Sequence, residues 1–385
     1  MEQGQRAAVK LASSFYGRPQ SLGEVSCVVT ESQDPNWHHL DEARPRWWHY
    51  LNIVPLVAHL NQKLDKRAYR YLPVELEPGP LESKAIEHYR RGRFAQGYAC
   101  ARLGAFLALP PRGDRTLGRP HDPDRALWFC ASALLSLRPI SAVPFAIDTL
   151  NRNVIPILES HQSSITPLTA ARLIIELGVY LRDYGLYSDA IRCSHLASQY
   201  FSDMDNPVER GLRARIAQHG AISAMATRSP SSLDLLDEAR AIDGGQLYVE
   251  GRANDALWRA RHILSGSHSD VDESRDLIKY LYRMKEQKQV APWTYAEALW
   301  TDAEWNLTTG NSSRAYEIVA HGRDLFQNAG IVPTAVLSPH CVQSFKEKYP
   351  RDLYVSPRRP EGLGNLPLLT QRILAMLPAP VKAIP

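Results

Sequence analysis

The stretch IIELGVYLRDYGLYSDAIRCSHLASQYF, residues 174–201, contains two helical patterns separated by a glycine turn. The first begins after Thr166 and Pro167, a cap residue and a proline at the first helical position. Its apolar residues then recur at spacings of three and four: Ala170, Leu173, Ile174, Leu177, Leu181 and Tyr184. Gly185 suits the left-handed conformation that ends many helices. In the second pattern, small residues mark a face on which helix backbones can approach closely: Ala190, Ser194 and Ala197.

Small residues recur downstream of Gly178 at a nearly constant interval. Gly220 follows after 42 residues, Ala260 after another 40 and Ala303 after another 43. In the first, second and fourth copies, further small residues follow 12 and 19 positions later: Ala190, Ala197, Ser232, Ala239, Ala315 and Gly322. In the third copy, a shift of two residues to Leu277 and Leu281 restores the pattern and predicts a longer loop. Self-similarity at a fixed period indicates stacked helical repeats.

This pattern resembles the tetratricopeptide repeat, a helix–turn–helix unit with small residues at fixed positions. The clearest copy, residues 171–204, matches at Leu177, Gly178, Gly185, Tyr187, Ala190 and Ala197. The copy at 296–329 matches at Ala303, Gly310, Ala315 and Gly322, and residues 85–109 carry a similar glycine pattern. The resemblance implies an all-α fold, an α-solenoid of antiparallel helix hairpins with an N-terminal helical domain. An ordinary antiparallel bundle, which also uses Gly and Ala at close crossings, is the alternative.

The remaining periodicity predicts four segments along the chain. They are a basic, mainly helical domain (1–120), a helical connector (121–165), the repeat array (166–330), and a C-terminal cap with a basic tail (331–385). Outside the array, helices are expected near 4–16, 45–68, 81–109, 123–137 and 143–161, with Asp122 capping the fourth.

Composition and charge narrow the class of protein. Of the 385 residues, 44% are hydrophobic and 22% are charged, which is typical of a globular protein. Residues 1–120 hold 17 Lys and Arg against 12 Asp and Glu, whereas residues 121–345 hold 21 against 26. No apolar run approaches the roughly 20 residues of a membrane-spanning helix, and the start lacks a secretory signal. We therefore expect a cytoplasmic protein that does not contact membranes.

The sequence contains no local catalytic, cofactor or metal motif. The five cysteines are an odd number without a CxxC pair, which argues against disulfides and structural zinc. Cys100, Cys130 and Cys193 lie in helical patterns and are expected to be buried thiols. Residues 35–51, PNWHHLDEARPRWWHYL, combine histidine, acids and aromatics, but a core face around Trp47 explains them better than a metal site.

The resemblance implies a non-enzymatic scaffold or regulatory subunit that binds a protein or peptide. Its contacts would lie on the outward side of the first helix of each hairpin: Arg172, Arg182, Asp183, Asn254, Trp258, Arg261, Glu297, Trp300 and Glu304. Burial between units is the alternative role of the two tryptophans. The second hairpin offers alanines instead, Ala214, Ala217, Ala221 and Ala224, a lining that suits an amphipathic helix.

Two other functions stay open from the sequence. A nucleic-acid-associated regulator would use the basic N- and C-terminal regions, especially Arg44, Arg46, Arg90, Arg91 and Arg93. An enzyme would need a site between the N-terminal domain and the array, built from residues distant in sequence. Neither requires a cofactor that the sequence identifies.

Overall fold

The described part of the chain is helical, without a strand. This computed structural model describes residues 78–91, 94–109, 121–138, 143–201, 206–227, 229, 231–242, 249–265, 271–287, 290, 292–329 and 365–380. The helices expected near 4–16 and 45–68, and the cluster at 35–51, lie outside these ranges. The all-α class predicted from the sequence is confirmed. Within the described ranges, no helix is long and apolar enough to cross a bilayer.

The chain divides into two compact units, which we describe separately. The first comprises residues 1–169 with 375–377, and the second comprises 170–374 with 378–385. Helices of the first unit are α1 (Pro78–Arg90), α2 (Phe94–Ala108), α3 (Pro123–Leu137), α4 (Val143–Thr149) and α5 (Ile155–His161). The four-segment division of the sequence stays a prediction.

The first unit is built around close helix crossings at glycine. A Cβ on Gly104 would lie 2.4 Å from the ring of Phe129, so α2 and α3 meet there without space for a side chain. Asp122 caps α3, accepting a hydrogen bond from the Arg125 amide at 2.9 Å, as its place before Pro123 predicted. The expectation of one helix over 81–109 was wrong, since α1 ends at Arg90 and α2 begins at Phe94. In the sequence, Gly92 follows soon after Arg90, and glycine is common just past the end of a helix.

The expected helix over 143–161 contains a π-helical turn at Leu150–Val154. Pro156 lacks an amide hydrogen and cannot continue the ordinary bonding pattern of an α-helix. The Ile155 amide bonds instead to the Leu150 carbonyl, five residues earlier. Asn153, in this turn, accepts a hydrogen bond from Arg102 of α2, so the widened turn is tied to its neighbour.

Four helix hairpins form most of the described part of the second unit. They are α6 (Pro167–Asp183) with α7 (Tyr187–Ser198), α8 (Pro207–Ala226) with α9 (Ser232–Ile242), α10 (Val249–Ser265) with α11 (Val271–Glu286), and α12 (Pro292–Thr308) with α13 (Ser312–Ala329). The first three residues of α6 belong to the first unit. The four first helices begin 40, 42 and 43 residues apart, an arrangement compatible with a helical repeat.

Local sequence signals set the ends of these helices. Asn206 caps α8 through bonds from the amides of Val208 and Glu209. Gly185 and Gly310 follow α6 and α12 with φ of +80° and +86°, a conformation that glycine adopts without steric cost. The predicted role of Gly185 as a helix end is confirmed.

The predicted small residues lie in the interior of the hairpins. Gly178, Gly220, Ala260 and Ala303 are all buried. A Cβ on Gly178 would lie 2.8 Å from that of Cys193, which places α6 and α7 in direct backbone proximity. In the third hairpin, Leu281 is buried as predicted, but Ser274 rather than Leu277 occupies the other interior position. A small side chain fits this crossing, and the partly exposed Leu277 packs at its margin.

A final helix, α14 (Leu366–Met376), buries Leu366, Leu369 and Ile373. Just beyond it, the Pro378 carbonyl accepts a hydrogen bond from the Tyr200 hydroxyl at 2.7 Å. Within the second unit, the C-terminal segment therefore reaches the first hairpin. The capping role predicted for residues 331–385 stays a prediction.

Candidate partner-binding groove

The residues predicted to bind a partner lie mainly within helix packing of the second unit. Seven of them are buried: Arg172, Arg182, Trp258, Arg261, Glu297, Trp300 and Glu304. Asp183 and Asn254 are partly exposed. Their role in binding stays a prediction, and their contacts explain why charged side chains are accommodated in the interior.

Arginine and carboxylate side chains connect the first two hairpins. Arg215 Nη1 lies 2.8 Å from Oε1 of the fully buried Glu176, and this ion pair joins α6 to α8. Arg182 pairs with Asp183 at 2.7 Å and also contacts Nδ1 of His219 at 2.8 Å. Arg215 Nε lies 3.2 Å from the other ring nitrogen of His219. A neutral imidazole accepts a hydrogen bond at only one of its two nitrogens. Only one of the two arginines therefore donates to the His219 ring, and the other is held by its own carboxylate, which is Asp183 for Arg182 and Glu176 for Arg215.

A second set of contacts joins the third hairpin to the fourth. Arg261 donates to the Thr301 hydroxyl at 3.0 Å and lies 3.6 Å from the Glu297 carboxylate. Its guanidinium also stacks 4.7 Å from the ring of Trp258. These interactions compensate the charge of the buried Arg261 guanidinium and hold α10 against α12.

Asp302, an extensively bonded acid of the fourth hairpin, was not predicted from the sequence. It accepts hydrogen bonds from Tyr282 at 2.5 Å, from Asn306 at 3.0 Å, and from Arg275. Burial raises the pKa of the Tyr282 phenol, and the Asp302 bond and charge raise it further. Tyr282 therefore stays a neutral donor, and the group serves packing between α11 and α12. The i, i+4 spacing of Asp302 and Asn306 was its only local signal.

Three cysteines of the described ranges, Cys100, Cys130 and Cys193, are buried and form no disulfide. Burial raises the pKa of Cys130 and of Cys193 to about 12, and it raises that of Cys100 as well. A thiol with a raised pKa is a poor nucleophile, because the reactive species is the thiolate. The expectation that these three cysteines are buried thiols is confirmed. The described residues also contain no group of three side chains able to hold a metal ion.

Two of the five arginines proposed for nucleic-acid contact can be placed. Arg90 and Arg91 are exposed at the end of α1, and Arg91 pairs with Glu87 at 2.8 Å. Arg44, Arg46 and Arg93 lie outside the described residues. The nucleic-acid alternative stays a prediction.

A groove of about 410 Å³ lies between α7, α8 and α9, and we call it the α8 groove. Its floor is one face of α8, at spacings of three and four: Arg213, Ile216, Ala217, Gly220 and Ala224. Its apolar walls are Ile191 from α7 and Leu235 and Ile242 from α9. The groove is lined mainly by apolar side chains, and the floor residues Ile216, Ala217 and Ala224 are themselves buried.

Polar groups surround this floor unevenly. His195 and Ser198 come from the second half of α7, and Glu238 comes from the second half of α9. Because consecutive helices joined by short connections run antiparallel, these groups lie near Arg213, at the beginning of α8. Ser229 and Ser231 lie at the opposite end, where α8 passes into α9. The charges therefore occupy one end of the groove and hydroxyl groups the other.

Gly220 has a different environment from the glycine at the equivalent position of the first hairpin. A Cβ on Gly220 would meet only the Leu235 Cδ1, at 3.6 Å, whereas Gly178 has no space for one. All four alanines singled out in the sequence are buried, and two of them, Ala217 and Ala224, line the floor of the groove. The helical periodicity of α8 could have identified this face from the sequence. The groove beside the face could not be predicted, because it depends on how α7 and α9 pack.

Comparison of the sequence with protein-family models and with curated proteins gives no match.

Proposed function

We propose that the chain is a non-enzymatic scaffold or regulatory subunit that binds a protein or peptide. In this proposal the hairpins α6–α13 stack as an α-solenoid similar to tetratricopeptide arrays. The observation that carries it is the recurring hairpin, whose first helices begin 40, 42 and 43 residues apart and each bury a small residue. Units that pack only on their neighbours leave extended surfaces for segments of other proteins.

The contacts between successive hairpins support this proposal. The Arg215–Glu176 pair joins the first helices of hairpins one and two, and Arg261–Glu297 joins those of hairpins three and four. Arg240 and Asp255 join α9 to α10 at 2.5 Å. Each ion pair links two hairpins that follow one another in the chain, as expected of repeat units that pack on their neighbours.

The test is affinity capture by the tagged full chain in its native host, followed by mass spectrometry and reconstitution from purified components. We expect one protein to be retained in stoichiometric amount and to bind directly at physiological salt. Absence of any direct binder would reject the scaffold function. Binding only to nucleic acid, weakening steeply with added salt, would favour the nucleic-acid alternative.

The predicted first-helix residues are tested in the same assay by Trp300→Ala and by charge reversal of Glu297 and Glu304. Trp300 is 2% exposed, so truncation is expected to cost about 3–5 kcal/mol of unfolding free energy through packing alone. Each variant therefore needs its urea midpoint beside its capture. Loss of capture at an unchanged midpoint supports direct contact, whereas loss of both assigns the residue to packing.

A further inference from the structure

His219 lies between two arginines that come from different hairpins. Its Nδ1 is 2.8 Å from Nη1 of Arg182 in α6, and its Nε2 is 3.2 Å from Nε of Arg215, one turn earlier in α8. The side chains of Arg182 and Arg215 are only 3% and 16% exposed, so solvent and salt screen their charges little. The imidazole therefore links the first hairpin to the second, and each of its nitrogens faces a guanidinium group.

The carboxylates of this cluster are already paired with the same two arginines. Asp183 accepts hydrogen bonds from Nε and Nη2 of Arg182, at 3.0 and 2.7 Å. Oε1 of the fully buried Glu176 lies 2.8 Å from Arg215. Arg172, another buried cation of α6, precedes Glu176 by one turn. A proton on the ring would therefore add a positive charge that neither carboxylate can compensate without releasing its arginine.

Titratable groups of the helices around α8 are neutral, exposed or already paired. Cys193 of α7 lines the same small cavity as His219, and burial followed by the charge of Asp189 raises its pKa to about 12. Burial also raises the pKa of Tyr187. Described acids of α7, α9 and α10 are exposed or lie beside an arginine: Asp189, Asp234, Asp237, Glu238 and Asp255.

We propose that His219 is a pH-sensitive contact between the first two hairpins. While the ring is neutral, one of its nitrogens accepts a hydrogen bond from an arginine and α6 is held to α8. When the ring is protonated, both nitrogens are donors that face the donors of Arg182 and Arg215, so the cations repel and the contact opens. The proposal depends on these contacts alone and holds whether or not the chain binds a partner.

The direction of the pH dependence follows from this geometry. In the open state, the ring accepts a proton at the ordinary histidine pKa of about 6.5. In the closed state, the two guanidinium groups oppose the proton. One pH unit below the ordinary pKa, the opening equilibrium should increase about tenfold, because the open-state ring is then mostly protonated. The contact is therefore closed above about pH 6.5 and opens as the pH falls below it.

The test compares native-state hydrogen exchange of the full chain at about pH 7.5 and about pH 5.5, corrected for intrinsic exchange rates. His219→Gln keeps one acceptor and one donor but does not titrate, whereas His219→Lys carries a positive charge at both pH values. His195→Gln is the matched control, since His195 is an exposed histidine of α7 outside this cluster. NMR of the isotope-labelled histidines measures protonation directly, with the His219 signal assigned by its loss in the glutamine variant.

We expect exchange in α6 and α8 to accelerate about tenfold at the lower pH in wild type and His195→Gln, while α12 and α13 keep their protection. His219→Gln should lose most of this acceleration, and His219→Lys should show it at both pH values. In the folded wild type, the His219 signal should titrate below the ordinary histidine value.

An equal acceleration in wild type and His219→Gln would overturn the proposal. So would a wild type without acceleration in α6 and α8, or a His219 signal that titrates at or above the ordinary histidine value. The last two measurements use the wild-type chain and do not depend on the folding of a variant.

Discussion

Two glycines at equivalent places in neighbouring hairpins have opposite consequences for stability. A Cβ at position 178 would lie 2.8 Å from Cys193 Cβ, so Gly178→Ala forces the helices apart and should cost about 1–3 kcal/mol. At position 220 the methyl group fits, and Gly220→Ala should raise the free energy of unfolding by up to about 1 kcal/mol. Urea denaturation of both variants measures the difference. Equal effects would mean that the two crossings are alike.

His262 is expected to make the stability of the second unit depend on pH. Its Nδ1 lies 2.9 Å from the Ser232 hydroxyl, and burial followed by the charge of Arg259 lowers its pKa below the ordinary value of 6.5. The unfolded chain then binds the proton more tightly than the folded chain. Stability is therefore retained above pH 6.5 and decreases as the pH falls below it.

The measurement is the urea midpoint of wild type and His262→Gln between about pH 8 and about pH 5, a range that spans the ordinary histidine pKa. Glutamine can still bond to Ser232 but does not titrate, so the decrease below pH 6.5 should be smaller in this variant. An identical decrease in the two proteins would assign the pH dependence to other groups.

At the scale of the helices, buried ion pairs decide how one hairpin meets the next. Glu176 is fully buried. Its carboxylate lies close to the guanidinium of Arg215, but the two groups are not aligned for a hydrogen bond. Arg215→Met leaves this carboxylate uncompensated and should cost about 3–5 kcal/mol. Adding Glu176→Leu removes the charge and should restore most of the loss. In a double-mutant cycle by urea denaturation, strictly additive effects would exclude coupling between α6 and α8.

Local signals in the sequence predicted the helices but not the environment of their polar faces. Thr166, Asn206 and Gly185 form hydrogen bonds with residues a few positions away in the chain. Their roles could therefore be predicted from the sequence. Arg182 and Arg261 were expected on the outward side of the first helices, because the resemblance to tetratricopeptide repeats implies it. Their burial depends on His219 and Glu297, each more than 30 residues away, and periodicity contains no information about such partners.

The α8 groove shows the same limit for the candidate site. Gly220 was interpreted as a close-packing position, whereas the alanines of the same helix were interpreted as the lining of a binding surface. Close packing is found at Gly178, whereas Gly220 faces a groove whose walls are set by α7 and α9. Whether a small residue admits a neighbouring helix or leaves space is decided by tertiary packing.

At the scale of the whole molecule, a repeat array predicts that a destabilising substitution lowers the stability of neighbouring helices before that of distant ones. Asp302→Ala removes the acceptor shared by Arg275, Tyr282 and Asn306, and should cost about 3–5 kcal/mol locally. Native-state hydrogen exchange should therefore accelerate first in α11–α13, while α1–α3 of the first unit keep their protection. The exposed Asp276–Lys279 pair supplies the control, since Asp276→Ala should change stability by at most about 0.5 kcal/mol. Uniform acceleration along the chain would indicate one cooperative core in place of an array of hairpins.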